Sequence, residues 1–249
     1  MRRATLPAIV AAVAALAVAG TAAGQGDRIA GGEATVLAAA SLTEVLPKLD
    51  PDARASFGGS NQLAQQIRLG FPVDVFLSAS PKYAQDLYRE GLVRKPVVFA
   101  SNSLVLVVPK TNPARIRSVA DLAKRPKLRL VVAAPAVPIG LYTREVLKRL
   151  SLLRVLRRTV SLEPDVKGIV GKVALGEADA GFVYRTDVRA VAGKVRVIPF
   201  PKRAQPTVFY EAAIAASPRD LEAAQAFMIA LLGGEGRAAL RAAGFGLPE

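Results

Sequence analysis

Neither cysteine nor histidine occurs anywhere in the 249 residues. Without cysteine there are no disulfides, no thiol nucleophile, no thiolate metal site and no lipid anchor on an N-terminal cysteine. A chain of this length can rely on its hydrophobic core instead. Without histidine a Ser-His-Asp triad is impossible. Serine–lysine catalysis is missing too, because no Ser-x-x-Lys occurs. There is no acidic cluster to hold a metal through carboxylates, and Asp74 and Asp179 read as turn and strand-edge residues. Glycine-rich phosphate motifs ending in Lys-Ser/Thr are absent, as is G-x-G-x-x-G after a strand. These absences argue against an enzyme and against a resident cofactor. A carboxylate-dependent exported hydrolase is the catalytic reading they leave open.

Hydrophobic residues make up 51% and charged residues 22%, enough for a sizeable core in one or two domains. The formal charge is +14, but the 34 Lys and Arg are scattered. The densest group, Lys148-Arg149 with Arg154, Arg157 and Arg158, lacks the aromatics of a nucleic-acid platform and reads as a solvated face. Such a field steers small anions inward. At the start, Arg2-Arg3, the apolar run Leu6 to Ala19 and the small residues Thr21-Ala22-Ala23 read as a signal peptide over 1–23. That places the protein outside the cytoplasm, in the periplasm or its equivalent, with a retained N-terminal anchor as the other reading.

The rest of the chain is arranged around Thr35 to Glu44. Thr35 to Ala40 is a small uncharged run that predicts a buried strand, and Ser41-Leu42-Thr43-Glu44 has the form of a capping box. A strand that runs into a helix start aims free N–H groups past its carboxyl end, where anions bind. A plain capping role for Ser41 is the alternative.

Further corners repeat the device. Leu42 to Leu46 predicts one helical turn, cut by Pro47. Ala55-Ser56-Phe57 predicts a strand ending in Gly58-Gly59, with Ser60 as cap of a helix from Asn61 to Leu69. Val73 to Leu77 is a strand and Ser80 the cap of the next helix. Leu104 to Val108 and Leu130 to Ala134 are strands. Pro135 to Tyr142 predicts an irregular turn before a helix from Tyr142 to Leu150. Glu163-Pro164-Asp165 caps a helix from Val166 to Leu175, leaving the N–H of Val166 free. Tyr184 ends the strand Phe182-Val183-Tyr184. Val195 to Ile198 and the apolar run at 212–216 precede a terminal helix pair. Strands alternating with helices predict an α/β fold with mostly parallel sheets and ligand binding at their carboxyl ends.

The runs Ala38-Ala39-Ala40-Ser41-Leu42-Thr43, Phe57-Gly58-Gly59-Ser60, Val73-Asp74-Val75-Phe76, Asn102-Ser103-Leu104, Val137-Pro138-x-Gly140-x-Tyr142 and Val183-Tyr184 resemble, in order, the periplasmic molybdate-binding proteins of molybdate ABC transporters. The resemblance runs from about Thr35 to Gly246. It implies a two-lobed solute-binding fold, with lobe 1 at 34–103 and 212–249, lobe 2 at 104–211, and hinges near Ser103-Leu104 and Tyr210-Glu211. It also implies an oxyanion, molybdate or tungstate, held without a cation. Its contacts would be Ser41, Ser60, the backbone N–H groups of Ile139 and Val166, and the Tyr184 hydroxyl. Those groups touch the oxygens of the anion and not the metal. Tyr142 is a weaker candidate. The implied partners are a membrane permease and, through it, an ATPase, with the chain acting as a monomer.

Three features depart from the family. The Ser41–Phe57 segment is short, Ile139 is bulkier than the usual small residue, and few polar residues lie between Gly58 and Ser60. A receptor for sulfate or a small organic anion keeps the same fold and stays open as an alternative.

Overall fold

The computed structural model describes residues 33–248, so the expected signal peptide at 1–23 lies outside the described residues. Strand β1 (Thr35–Ala39) is the apolar run expected from the sequence. It ends in a single 3-10 turn, Ala40–Leu42, with Ser41 inside it. The capping box with Glu44 does not form: Ala39 holds the cap position and no side chain bonds the freed N–H groups. Pro47 opens a helix, α1 (Leu46–Leu49), instead of cutting one, because its missing N–H costs nothing in a first turn.

Next come β2 (Arg54–Gly58), α2 (Ser60–Arg68), β3 (Val75–Ser78) and α3 (Pro81–Arg89). The sequence does not announce β4 (Val97–Asn102). Only Phe99 and Ala100 are buried in it, too few to mark either an alternation or an apolar run. The chain then crosses at Ser103 into β5 (Leu104–Pro109), β6 (Leu130–Ala133), α4 (Pro138–Arg149), β7 (Thr159–Glu163), α5 (Val166–Ala174), β8 (Ala180–Tyr184) and β9 (Val195–Ile198). It returns through β10 (Val208–Ile214) and ends in α6 (Leu221–Leu232) and α7 (Gly234–Ala242).

Two five-stranded sheets result, in the orders β2-β1-β3-β10-β4 and β7-β6-β8-β5-β9. In each, one strand runs against the others: β10 in the first sheet and β5 in the second. The two exceptions are the first strands after each crossing. Val208 already pairs with Asn102, so the return crossing lies upstream of Val208 and not near Tyr210-Glu211. Residues 208–211, expected in the second lobe, pair in the first sheet. The acid Glu211 hides this strand in the sequence. It is buried there because both its oxygens accept from Gln85 Nε2 at 3.0 Å.

Alternate residues of β1 serve two cores. Leu37 joins Phe76, Leu63, Ile67 and Leu87 under α2 and α3. Val36 and Ala38 face a larger cluster that runs on without a break through Leu106, Val132 and Phe182 of the second half. Strands buried on both faces read as continuous apolar runs, which is why β1, β5 and β6 are legible in the sequence.

Polar contacts also join the halves. Lys167 Nζ on α5 reaches both oxygens of Glu44 at 2.6 and 2.8 Å, and lies 3.2 Å from Asp187 Oδ1. The Tyr83 hydroxyl donates to the carbonyl of Ala136. Gly59 in the first half approaches the Pro164 carbonyl of the second so closely that a Cβ there would stand 2.5 Å from that oxygen. Only glycine fits at this contact.

Gly59→Ala is therefore expected to keep the fold, by circular dichroism, while increasing the radius of gyration in solution scattering. Asp187 yields a second prediction. Burial, opposed by Lys167, pushes its carboxyl from 3.8 up to about 6. Below 3.8 folded and unfolded chains both carry the proton, and the cost of burying the charge is absent. Between 3.8 and 6 only the folded chain carries it, so this group's contribution falls as pH rises. Above that window the full cost stands. Asp187→Asn is expected to stabilise the protein by up to about 3 kcal/mol at neutral pH, and the gain should vanish toward pH ~4. Denaturant titrations across this range check it, and a pH-independent difference would contradict it.

Candidate functional site

Three helix starts converge where the two halves meet. On the first half, α2 begins at Ser60 with Gly59 at its cap position. The cap role expected of Ser60 is not realised, since Ser60 is the first helical residue. Its Oγ instead accepts from the backbone N–H of Ala79 at 3.0 Å, just beyond β3. On the second half, α4 begins at Pro138 and not at Tyr142, so the expected irregular turn is mostly helix. Proline suits that first position because it has no N–H to leave bare. Gly140 follows because a Cβ there would lie 2.2 Å from the Ala134 carbonyl. The first helical bond of α4 runs from Leu141 N–H to Val137 O at 2.9 Å. The Ile139 N–H, two residues earlier, finds no acceptor among the described residues.

The start of α5 matches the sequence reading. The Asp165 carboxylate accepts from Lys167 N–H at 2.7 Å and Gly168 N–H at 3.2 Å. Val166, first in the helix, keeps its N–H unpaired among the described residues. From the remaining corners come Ser41 and Tyr184. Ser41 Oγ lies 2.8 Å from the Tyr210 hydroxyl. Tyr184, at the end of β8, is buried, and its hydroxyl has no hydrogen-bond partner among the described residues. Burial pushes its phenol well above the usual value, so the proton stays on.

All five residues singled out from the sequence, Ser41, Ser60, Ile139, Val166 and Tyr184, line one small cavity. Gly58, Gly59, Ala79, Val137, Pro138 and Asp165 complete most of its wall. The centre of a water-sized sphere has ≈ 20 Å³ to move in there. That slightly exceeds the space one ordered water needs and falls far below the roughly 300–1,000 Å³ of pockets for drug-sized ligands. Tyr142 does not line it; its buried phenol is raised by desolvation, with the Ser80 hydroxyl opposing.

The chemistry of the wall is one-sided. No Lys or Arg lines the cavity. The only charged residue there, Asp165, gives one carboxylate oxygen, Oδ1, to two α5 N–H groups. Three helix N-termini supply partial positive charge. Ser60 already accepts a bond, so its own proton is free to be given away. Among the described residues no group of three or more acidic side chains stands ready for a metal ion. The wall can surround a small, compact anion with donors.

Two contributors escaped the sequence reading. The Ala79 N–H that orients Ser60 is a backbone group nineteen residues away and carries no residue signature. Tyr210, the partner of Ser41, is 169 positions away, and only its place beside the expected hinge marked it.

Comparison with known proteins follows the same lines. Residues 34–246 match the family described as bacterial extracellular solute-binding protein. The chain is 34% identical over 223 residues to the molybdate-binding protein ModA of Mycobacterium tuberculosis, covering 86% of this chain and 84% of that one. It is 33% identical to ModA of Escherichia coli over 199 residues, covering 74% and 77%. Among solved structures, the periplasmic molybdate-binding protein of Azotobacter vinelandii superposes with a TM-score of 0.78 at 26% identity, over 87% of this chain and all of that one. The sulfate-binding protein SubI of M. tuberculosis, at 19% identity and a TM-score of 0.74, shares the fold. On these matches the chain belongs to the bacterial extracellular solute-binding protein family, among its ModA relatives.

Proposed function

We propose that this protein is the extracytoplasmic molybdate-binding component of an ABC importer, that it also takes tungstate, and that it passes its cargo to a membrane permease coupled to an ATPase. The observation that carries the reading is the cavity itself. Hydroxyls of Ser41, Ser60 and Tyr184 and backbone N–H groups of Ile139 and Val166 meet in a space fit for one compact ion. The ModA relatives, at a third of residues identical, support molybdate as that ion.

Selectivity follows from donor count. Molybdate, tungstate and sulfate are dianions at neutral pH, with acceptor oxygens only. Monoprotonated phosphate brings a donor of its own, and the five contact groups meet the ion as donors. Size then separates molybdate from sulfate, through how far the halves close, with Gly59 against the Pro164 carbonyl at their contact. Five donors and no cation hold the charge without trapping it by a full counter-charge, which suits a carrier that must release its cargo. The protein works as a monomer, its two halves closing about the crossings at Ser103 and upstream of Val208.

Thermal unfolding with each anion in parallel tests this. A ligand at ~1,000 times its dissociation constant stabilises by about 4 kcal/mol, which for a chain of this size is roughly 8–16 °C. Molybdate and tungstate are expected to give that shift and phosphate none. A shift with sulfate as well would make the protein a general oxyanion receptor, and no shift with any anion would overturn the reading. Ser60→Ala and Tyr184→Phe are each expected to weaken molybdate binding about 10- to 100-fold, the scale of one hydrogen bond to a charged group. Calorimetric titration measures this. Unchanged affinity in both variants would remove these hydroxyls from the site.

A further inference from the structure

We infer that Asn102 and Tyr210 are a positioning pair that turns the proton of Ser41 toward the cavity, making Ser41 a donor, and never an acceptor, to the bound anion. The inference rests on the oxyanion reading and deepens it by naming residues that set its selectivity.

The direction of each hydrogen bond can be followed from one fixed point. Ser103 N–H donates to Asn102 Oδ1 at 2.9 Å, which settles which side of the amide carries nitrogen. Asn102 Nδ2 then donates to Thr186 Oγ1 at 2.9 Å and faces the Tyr210 oxygen at 3.4 Å. A phenol that accepts from Asn102 still has one proton to place, and its neighbour is Ser41 Oγ at 2.8 Å. Were Ser41 to donate instead, the Tyr210 proton would be buried with no acceptor. Ser41, receiving this bond, keeps its own proton to give elsewhere, and Ser41 lines the cavity. Ser60 is oriented by the same logic through the Ala79 N–H.

Tyr210 is built to hold still. It is fully buried, and its ring makes edge-on contacts with Phe99, Tyr184 and Phe245 at centroid distances of 6.1, 5.9 and 5.4 Å. Burial also keeps its phenol protonated far above neutral pH. Asn102 ends β4 in the first half, while Thr186 follows β8 in the second. Both members of the pair thus lie in the first half, on β4 and β10, and the Asn102–Thr186 bond ties the pair to the second half.

The experiment is a double-mutant cycle on the full chain, with molybdate and phosphate titrated into wild type, Tyr210→Phe, Ser41→Ala and the double variant. Tyr210→Phe is expected to weaken molybdate about three- to tenfold, the scale of one neutral hydrogen bond. It is also expected to narrow the molybdate-over-phosphate preference, because a freed Ser41 can turn to accept. In the Ser41→Ala background the same change should cost nothing further. Asn102→Asp is the second variant: its carboxylate takes the Tyr210 proton, Ser41 must donate to Tyr210, and lone pairs then face the anion. Molybdate should be weakened more than by Tyr210→Phe. An equal loss from Tyr210→Phe in both backgrounds, or full affinity in Asn102→Asp, overturns the inference and leaves the oxyanion reading intact. Wild type that binds neither molybdate nor tungstate overturns the oxyanion reading itself.

Discussion

The constraint on which this structure depends is the cost of taking a doubly charged ion out of water without a cation to meet it. Every lost water contact must be replaced by a protein N–H or O–H, and each of those groups must have its proton free when the ion arrives. Helix starts satisfy that condition by geometry, since their first N–H groups have no partner within the helix. Hydroxyls satisfy it when another donor already occupies their oxygen, or when no other acceptor competes for their proton. Ser60 meets the condition through Ala79, and Tyr184 meets it by being buried with no hydrogen-bond partner among the described residues.

Much of the remaining architecture follows from bringing these groups to one point. No single helix offers enough free N–H groups, so starts from two separate sheets are needed. The sheets are joined at two crossings, and the strand after each crossing runs against its neighbours. This places the carboxyl ends of the parallel strands β1 and β6 toward the same gap. Close approach then becomes a steric matter. Gly59 lets one half touch the carbonyl of Pro164, and Gly140 lets α4 pack onto the carbonyl of Ala134. Lys167, between Glu44 and Asp187, adds an ionic contact across the same boundary. Asp187 is buried at a cost to its ionised form, the sort of local expense a contact between halves sustains when the core elsewhere is large.

Legibility varied from residue to residue for physical reasons. β1, β5, β6 and β8 are buried on both faces and show as unbroken apolar runs. The start of α5 was readable because Asp165 caps it through its own side chain, a local interaction between near neighbours in the chain. The roles of Ser41 and Ser60 were half readable. Their positions after a strand and before a helix marked them, but both looked like caps, and neither is one. Ser41 is paired with Tyr210 and the Ser60 oxygen accepts from Ala79, and a cap position was ceded to Ala39 and to Gly59. Glu44 likewise has the spacing of a capping partner and serves instead as the counter-charge of Lys167. β4 and the first half of β10 were invisible because an edge strand and a strand carrying a buried acid lose the apolar signature.

The amino-acid sequence by itself determined the alternation of strands and helices, the exclusion of thiol, imidazole and triad chemistry, and the list of residues standing at strand ends. These depend on composition and on interactions within a few residues. Tertiary structure decided that the five residues share one cavity, which groups their hydroxyls meet, where the chain returns between the halves, and how near the halves come. Those outcomes rest on partners as far apart as Ser41 and Tyr210. A hydroxyl carries no mark in the sequence of whether it gives its proton or receives one; only the group packed against its oxygen settles that.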